Sequence, residues 1–158
     1  MITLALAFAI SQKTQPAWMD WTIAGYSLAY DEKHGPVSIH DPKSSYYLYR
    51  TVDCDGAILG LILTATPLDD SGYTIVNKRL PSLSTGKGIH LGDSPSRIRQ
   101  LLGKPSRERN SEELPGSKEY VYSWSTGKRD DDYKHDECYT FKRSRLVRIN
   151  FGRIMNSV

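Results

Sequence analysis

The chain has 158 residues, 39% hydrophobic and 25% charged, which suits one ordinary globular domain able to bury a core without a metal or dense disulfides. Ten tyrosines and three tryptophans beside three phenylalanines favour strands and half-exposed sheet faces over helix bundles. The formal net charge is +3, with six Lys/Arg against eight Asp/Glu in residues 1–86 and fifteen against ten in residues 87–158, far below a nucleic-acid-binding signature.

Residues 2–10 form an apolar run, too short to span a bilayer and long enough for a signal-peptide core, with Ala7-Phe8-Ala9 as a small-x-small cleavage site. No Lys or Arg precedes it, so a first apolar strand or helix turn packed on a sheet is the other reading. Export to the periplasm or the exterior is expected, with no transmembrane segment. If residues 1–10 are instead retained as structure, the location is cytoplasmic. The sequence divides into residues 1–16 (signal peptide or disordered N-terminus), a β-rich half over 17–80 and a helix-plus-strands half over 81–158.

Residues 18–30 alternate apolar and polar as one strand, 31–36 read as a turn, and 37–40 as a short returning strand. A clear hairpin follows: residues 46–54, the Asp55-Gly56 turn, and residues 57–66, whose apolar residues on both faces suit a central position. Residues 73–78 are a further strand and 81–87 a linker. Ser94, or Asp93 beside it, then caps a helix that Pro95 opens. Ile98, Leu101 and Leu102 give it an apolar stripe; Gly103 and Pro105 end it. Residues 107–118 read as a loop. Residues 119–125 alternate as a strand with Tyr120, Tyr122 and Trp124 on one face. After a charged loop over 126–136, residues 137–143 and 146–151 form a second hairpin, with Tyr139, Phe141, Val147, Ile149 and Phe151 as its buried set. The fold class this predicts is α+β: an antiparallel β-sheet with a short helix on one face, with room for a degenerate duplication of a helix-plus-strands unit.

The order Leu91-Gly92-Asp93-Ser94, Ile98, Leu101-Leu102-Gly103-Lys104-Pro105, the strand from Tyr120 to Trp124, and the hairpin residues Tyr139, Phe141, Leu146 and Ile149 resembles a known repeat. It is similar to the superfamily of small outer-membrane-assembly lipoproteins (SmpA/OmlA-like) and the β-lactamase inhibitor protein (BLIP-like), over about residues 88–151. The resemblance implies an exported, non-enzymatic fold used for protein–protein contact. Two features depart from it. No cysteine precedes Cys54, where the lipoproteins carry a lipid-bearing one, and Asp93 stands where methionine is common.

Ser84-Thr85-Gly86-Lys87-Gly88 lacks the leading glycine and trailing Ser/Thr of a phosphate loop. The acidic run over 130–137 lacks the register of a calcium loop and reads as a solvated connection. His34, His40, His90 and His135 are scattered, and no hydrolase, zinc or redox motif accompanies them, so no catalytic residue, metal or cofactor is expected. Cys54 and Cys138 either pair as a disulfide or remain two thiols.

The expected binding surface is Tyr120, Tyr122 and Trp124, with Tyr46, Tyr47 and Tyr49 on the first hairpin and Arg143, Arg145 and Arg148 steering an acidic partner. The other reading places these tyrosines in the core. The predicted function is a non-enzymatic exported protein-binding or envelope-associated module. Its rivals are a small-molecule or carbohydrate-binding domain on the same aromatics, and a hydrolase with dispersed catalytic residues.

Overall fold

The computed structural model describes residues 15–28, 37–52, 58–68, 74–125 and 133–155. The strands are β1 (Thr22–Ile23), β2 (Tyr26–Ser27), β3 (Val37–Asp41), β4 (Tyr46–Val52), β5 (Ile58–Thr64), β6 (Thr74–Asn77), β7 (Arg107–Asn110), β8 (Lys118–Ser125), β9 (Tyr133–Lys142) and β10 (Arg145–Met155), with the helix α1 (Pro95–Leu102) between β6 and β7. β1 and β2 make a two-stranded ribbon. The other eight form one sheet in the order β6-β3-β4-β5-β10-β9-β8-β7. Two antiparallel meanders, β3-β4-β5 and β8-β9-β10, meet along β5 and β10.

The α+β, all-antiparallel expectation is corrected. The protein is mainly β, with one eight-residue helix among the described residues, and its sheet is mixed because β6 runs parallel to β3. The duplicated helix-plus-strands unit falls with it, since among the described residues a helix precedes only the second meander. Residues 18–30 are not one strand either. Ala24 and Gly25 take φ of 56° and 82°, which reverses the chain between β1 and β2.

The helix forms for the reasons its sequence gives. Ser94 is extended and accepts the Arg97 N–H, Pro95 fills the first position, and Gly103 at φ 82° returns its N–H to the Arg99 carbonyl. Asp93 caps the preceding turn instead, accepting the His90 N–H at 2.9 Å. Ile98 and Leu102 are buried in the core and Leu101 lies outside the stripe. Each buried side chain contributes about 1.5–3 kcal/mol.

The core lies on one face of the sheet. Leu48, Leu61, Leu63, Tyr122, Tyr139, Phe141, Ile149 and Phe151 supply the strand side. Ile23, Leu28, Leu80, Ile89 and the helix residues supply the cover. Of the expected buried set only Val147 is half-exposed, because a register shift between Leu146 and Arg148 turns Arg148 inward on the opposite face.

Candidate functional site

Two clusters carry chemistry, one on each face of the sheet. On the core face, His135 and Glu137 stand two residues apart on β9, so both point inward, and neither has any exposed surface. His135 Nε2 lies 3.1 Å from Glu137 Oε1. Glu137 also accepts the Asp20 N–H on Oε1 and the Tyr139 hydroxyl on Oε2 at 2.7 Å. Burial raises the Glu137 carboxyl above its usual value against the pull of these donors, and the same burial beside Glu137 raises the Tyr139 hydroxyl. Trp18 and Trp21 roof the imidazole, with ring centroids 6.4 and 4.7 Å away. This is a fully buried histidine–carboxylate pair, and through the Asp20 N–H it fastens residues 15–28 onto the sheet.

The loop that superficially resembled a phosphate cradle has the same task. Lys87 donates its backbone N–H to Asp20 Oδ2 at 2.7 Å, and the Asp20 carboxylate also accepts the Trp21 and Thr22 N–H groups. A Cβ at Gly86 would come within 2.6 Å of Asp20 Oδ1, so glycine is needed for that approach. The loop binds an anion, and the anion is the chain's own.

On the opposite face, strand register lines up Asn77, His40, Tyr47, Thr64, Arg148, Thr140, Glu119 and Arg109 in one rung across all eight strands. Its middle is buried. Glu119 accepts from Arg109 and Ser111, both at 2.8 Å, and the mostly buried Arg148 pairs with the exposed Glu113. At its other end Asn77 on β6 is exposed and His40 on β3 and Tyr47 on β4 are half-buried. Asn77 Oδ1 lies 2.9 Å from His40 Nδ1, the His40 ring stacks on Tyr47 at 4.5 Å, and Tyr47 stacks on Tyr49 at 6.1 Å.

Beside this stack is the outer edge of β6, which pairs with no further strand among the described residues. Its four residues are all exposed, including Ile75 at 45% and Val76 at 41%. Lys78 donates its N–H to the His40 carbonyl, so alternation turns the backbone of Thr74 and Val76 toward β3 and that of Ile75 and Asn77 outward. Asp41 anchors this end. Burial alone would raise its carboxyl, but the Lys43, Leu80 and Ser44 backbone donors and Arg79 outweigh it and hold the group below its usual value. The opposite edge, β7, is Arg107-Glu108-Arg109-Asn110, a row of charges that discourages pairing.

The expected surface residues are not gathered on one face. Tyr120 and Tyr122 complete the core beneath the helix, and the Tyr122 hydroxyl donates to the Gly103 carbonyl at 2.9 Å. Trp124 is half-buried. Arg143 sits exposed in the β9–β10 turn, Arg145 donates to the Gly92 carbonyl, and Arg148 faces the other side of the sheet from the tyrosines. Tyr47, named with the first hairpin, is half-buried on the face opposite the core, while Ile75 and Val76 were not singled out and His40 was named only among the scattered histidines. The signal for β6 was an uncharged β-branched pair in a strand with no buried face.

Cys54 lies outside the described residues, and with it the expected pairing; Cys138 is a free thiol. Burial, with Glu119 and Asp136 nearby, pushes the Cys138 thiol up to about 11. Cys138 is therefore expected to resist iodoacetamide at pH 8 in the folded chain and to react on unfolding, as site-resolved mass spectrometry would show. Among the described residues no group of three His, Cys, Asp or Glu side chains could hold a metal ion, and no helix is long and apolar enough to cross a membrane.

No protein-family model matches the chain, and no curated protein matches it. Among solved structures it is similar to a DUF4309 family protein, YjgB, from Bacillus subtilis subsp. subtilis str. 168, at 14% identity and a TM-score of 0.42. The match covers 74% of this chain and 63% of that one, so the chain spans less than two thirds of that protein's length. At this distance the likeness carries no argument for function.

Proposed function

We propose that this chain is a non-catalytic protein-binding module that takes an extended segment of its partner along the outer edge of β6. The observation that carries the reading is the contrast between the sheet's two edges. β6 is uncharged and displays Ile75 and Val76, whereas β7 is guarded by three charged side chains. An added strand would take its main-chain hydrogen bonds from the outward groups of Ile75 and Asn77. The His40–Tyr47 stack, fixed by Asn77, would flank it. The SmpA/OmlA-like and BLIP-like resemblance, which implies protein contact, and the apolar run over residues 2–10, which suits export, support the same reading.

Two observations favour this over the rival readings. Among the described residues the buried histidine–carboxylate pair, His135 and Glu137, has no exposed surface and lies against Trp18 and Trp21, which speaks against a role on a substrate. The half-buried rings of His40 and Tyr47 stack on each other, at an interplanar angle of 22°, and that stacking competes with a sugar for the same ring faces.

The test is to pan a random-peptide display library against the folded chain and compare binders on wild type and Ile75→Pro. Proline there removes an outward N–H and leaves the β3 ladder intact. Binders of extended, apolar-rich sequence that lose about tenfold or more in affinity on the variant support the reading. Binders indifferent to the substitution would overturn it.

A further inference from the structure

We infer that the segment which pairs with β6 is β6 of a second copy of this chain, running antiparallel. This rests on the edge-binding reading above and names its partner. Two features point to a copy. First, the outward-facing residues are Ile75 and Asn77, placed symmetrically about Val76. With Val76 on the two-fold axis, Ile75 of each copy faces Asn77 of the other as a hydrogen-bonded pair, and every outward main-chain group finds a partner. Second, the two Val76 side chains then meet as a non-hydrogen-bonded pair, where side chains approach most closely, and both are apolar and exposed. No charge within β6 opposes its own image.

An antiparallel pair related by a two-fold axis also closes, so the product is a dimer and not a fibre. Four residues from each copy make a small interface, so the association belongs to the weak class.

The full chain is examined by sedimentation velocity up to about 1 mM, where weak complexes become populated. Wild type is expected to dimerise with rising concentration, and Ile75→Pro to weaken this about tenfold or more. Register is read separately on a Cys54→Ser background. Two thiols introduced by Val76→Cys sit on the axis at a spacing a disulfide can bridge, so mild oxidation joins the copies, while Thr74→Cys gives no such link. A chain monomeric at all these concentrations, or a dimer that Ile75→Pro leaves unchanged, overturns the inference. If the chain is monomeric yet library peptides still bind through Ile75, the second copy falls and the edge-binding reading stands. If neither occurs, both fall.

Discussion

Glu137→Ala is expected to destabilise the fold by several kcal/mol, since each buried polar group left without its partner costs about 1–3 kcal/mol. The variant strands three groups at once: the Asp20 N–H, the Tyr139 hydroxyl and His135 Nε2, all deep under Trp18 and Trp21. His135 Nδ1 already has no partner, so the imidazole would lose its only hydrogen bond. Glu137→Gln behaves differently, because the amide oxygen still accepts from Asp20 and its NH₂ can donate to Tyr139. Its cost at pH 4 is about 1 kcal/mol or less. The pH dependence has a definite sign. Burial raises the carboxyl above its usual 4.5, so folding favours the protonated acid. The stability this contributes is fully present below 4.5 and is lost as pH rises through the folded value. Glu137→Gln should therefore gain on wild type as pH rises from about 4.5 toward neutrality, the reverse of ordinary acid denaturation. Urea unfolding of wild type, Gln and Ala variants across that range checks both claims. A wild-type advantage over Gln that grows with pH would sink them.

How much of this was legible depended on whether the signal was local. The helix was, since cap, proline, apolar stripe and terminating glycine all lie within residues 94–105. So were β4, β5, β8 and β10, whose alternation or continuous apolar run marks them in one strand's length. β7 was not. Arg107-Glu108-Arg109-Asn110 has no apolar residue, and it is a strand only because β8 offers it hydrogen bonds. β6 was visible as a strand, but its parallel partner β3 lies more than thirty residues earlier and leaves no trace in its sequence. His135 and Glu137 were hidden by composition, because the five carboxylates in residues 130–137, Glu137 among them, make the stretch read as solvated. The period-two series His135, Glu137, Tyr139, Phe141 was the signal that could have exposed them. For Arg148 the obstacle was the irregularity at Leu146, which sends the guanidinium to the face opposite the tyrosines. As to the binding surface, alternation places Tyr120, Tyr122 and Trp124 on one side of β8 and is silent on which side the rest of the chain covers.

That silence makes Tyr122 the sharpest comparison between surface and core. Were it part of a contact surface, Tyr122→Ala would weaken partner binding and leave stability within about 0.5 kcal/mol. In the fold it has no exposed surface. It lies 5.6 Å from Trp18 and 5.8 Å from Tyr139 between ring centroids, and its hydroxyl holds the carbonyl of Gly103 at the end of the helix. Burial pushes that hydroxyl up to about 12, so it stays protonated and remains a donor throughout the ordinary pH range. Tyr122→Ala is therefore expected to cost about 3–5 kcal/mol, the range for deleting a buried aromatic ring. Tyr122→Phe keeps the ring and loses only the helix clasp, about 1 kcal/mol. The two variants also separate in where they act. Hydrogen exchange should quicken at the last turn of the helix in Tyr122→Phe, through the freed Gly103 carbonyl, and across the core strands as well in Tyr122→Ala. Denaturant midpoints give the magnitudes and exchange gives the location. A Tyr122→Ala chain as stable as wild type would return the tyrosine to the surface and undo the assignment of the core face. Loss of stability with the Ile75-dependent peptide binding retained in the folded fraction would separate the two faces of the sheet by function: one holds the fold, and the edge beside the other meets the partner.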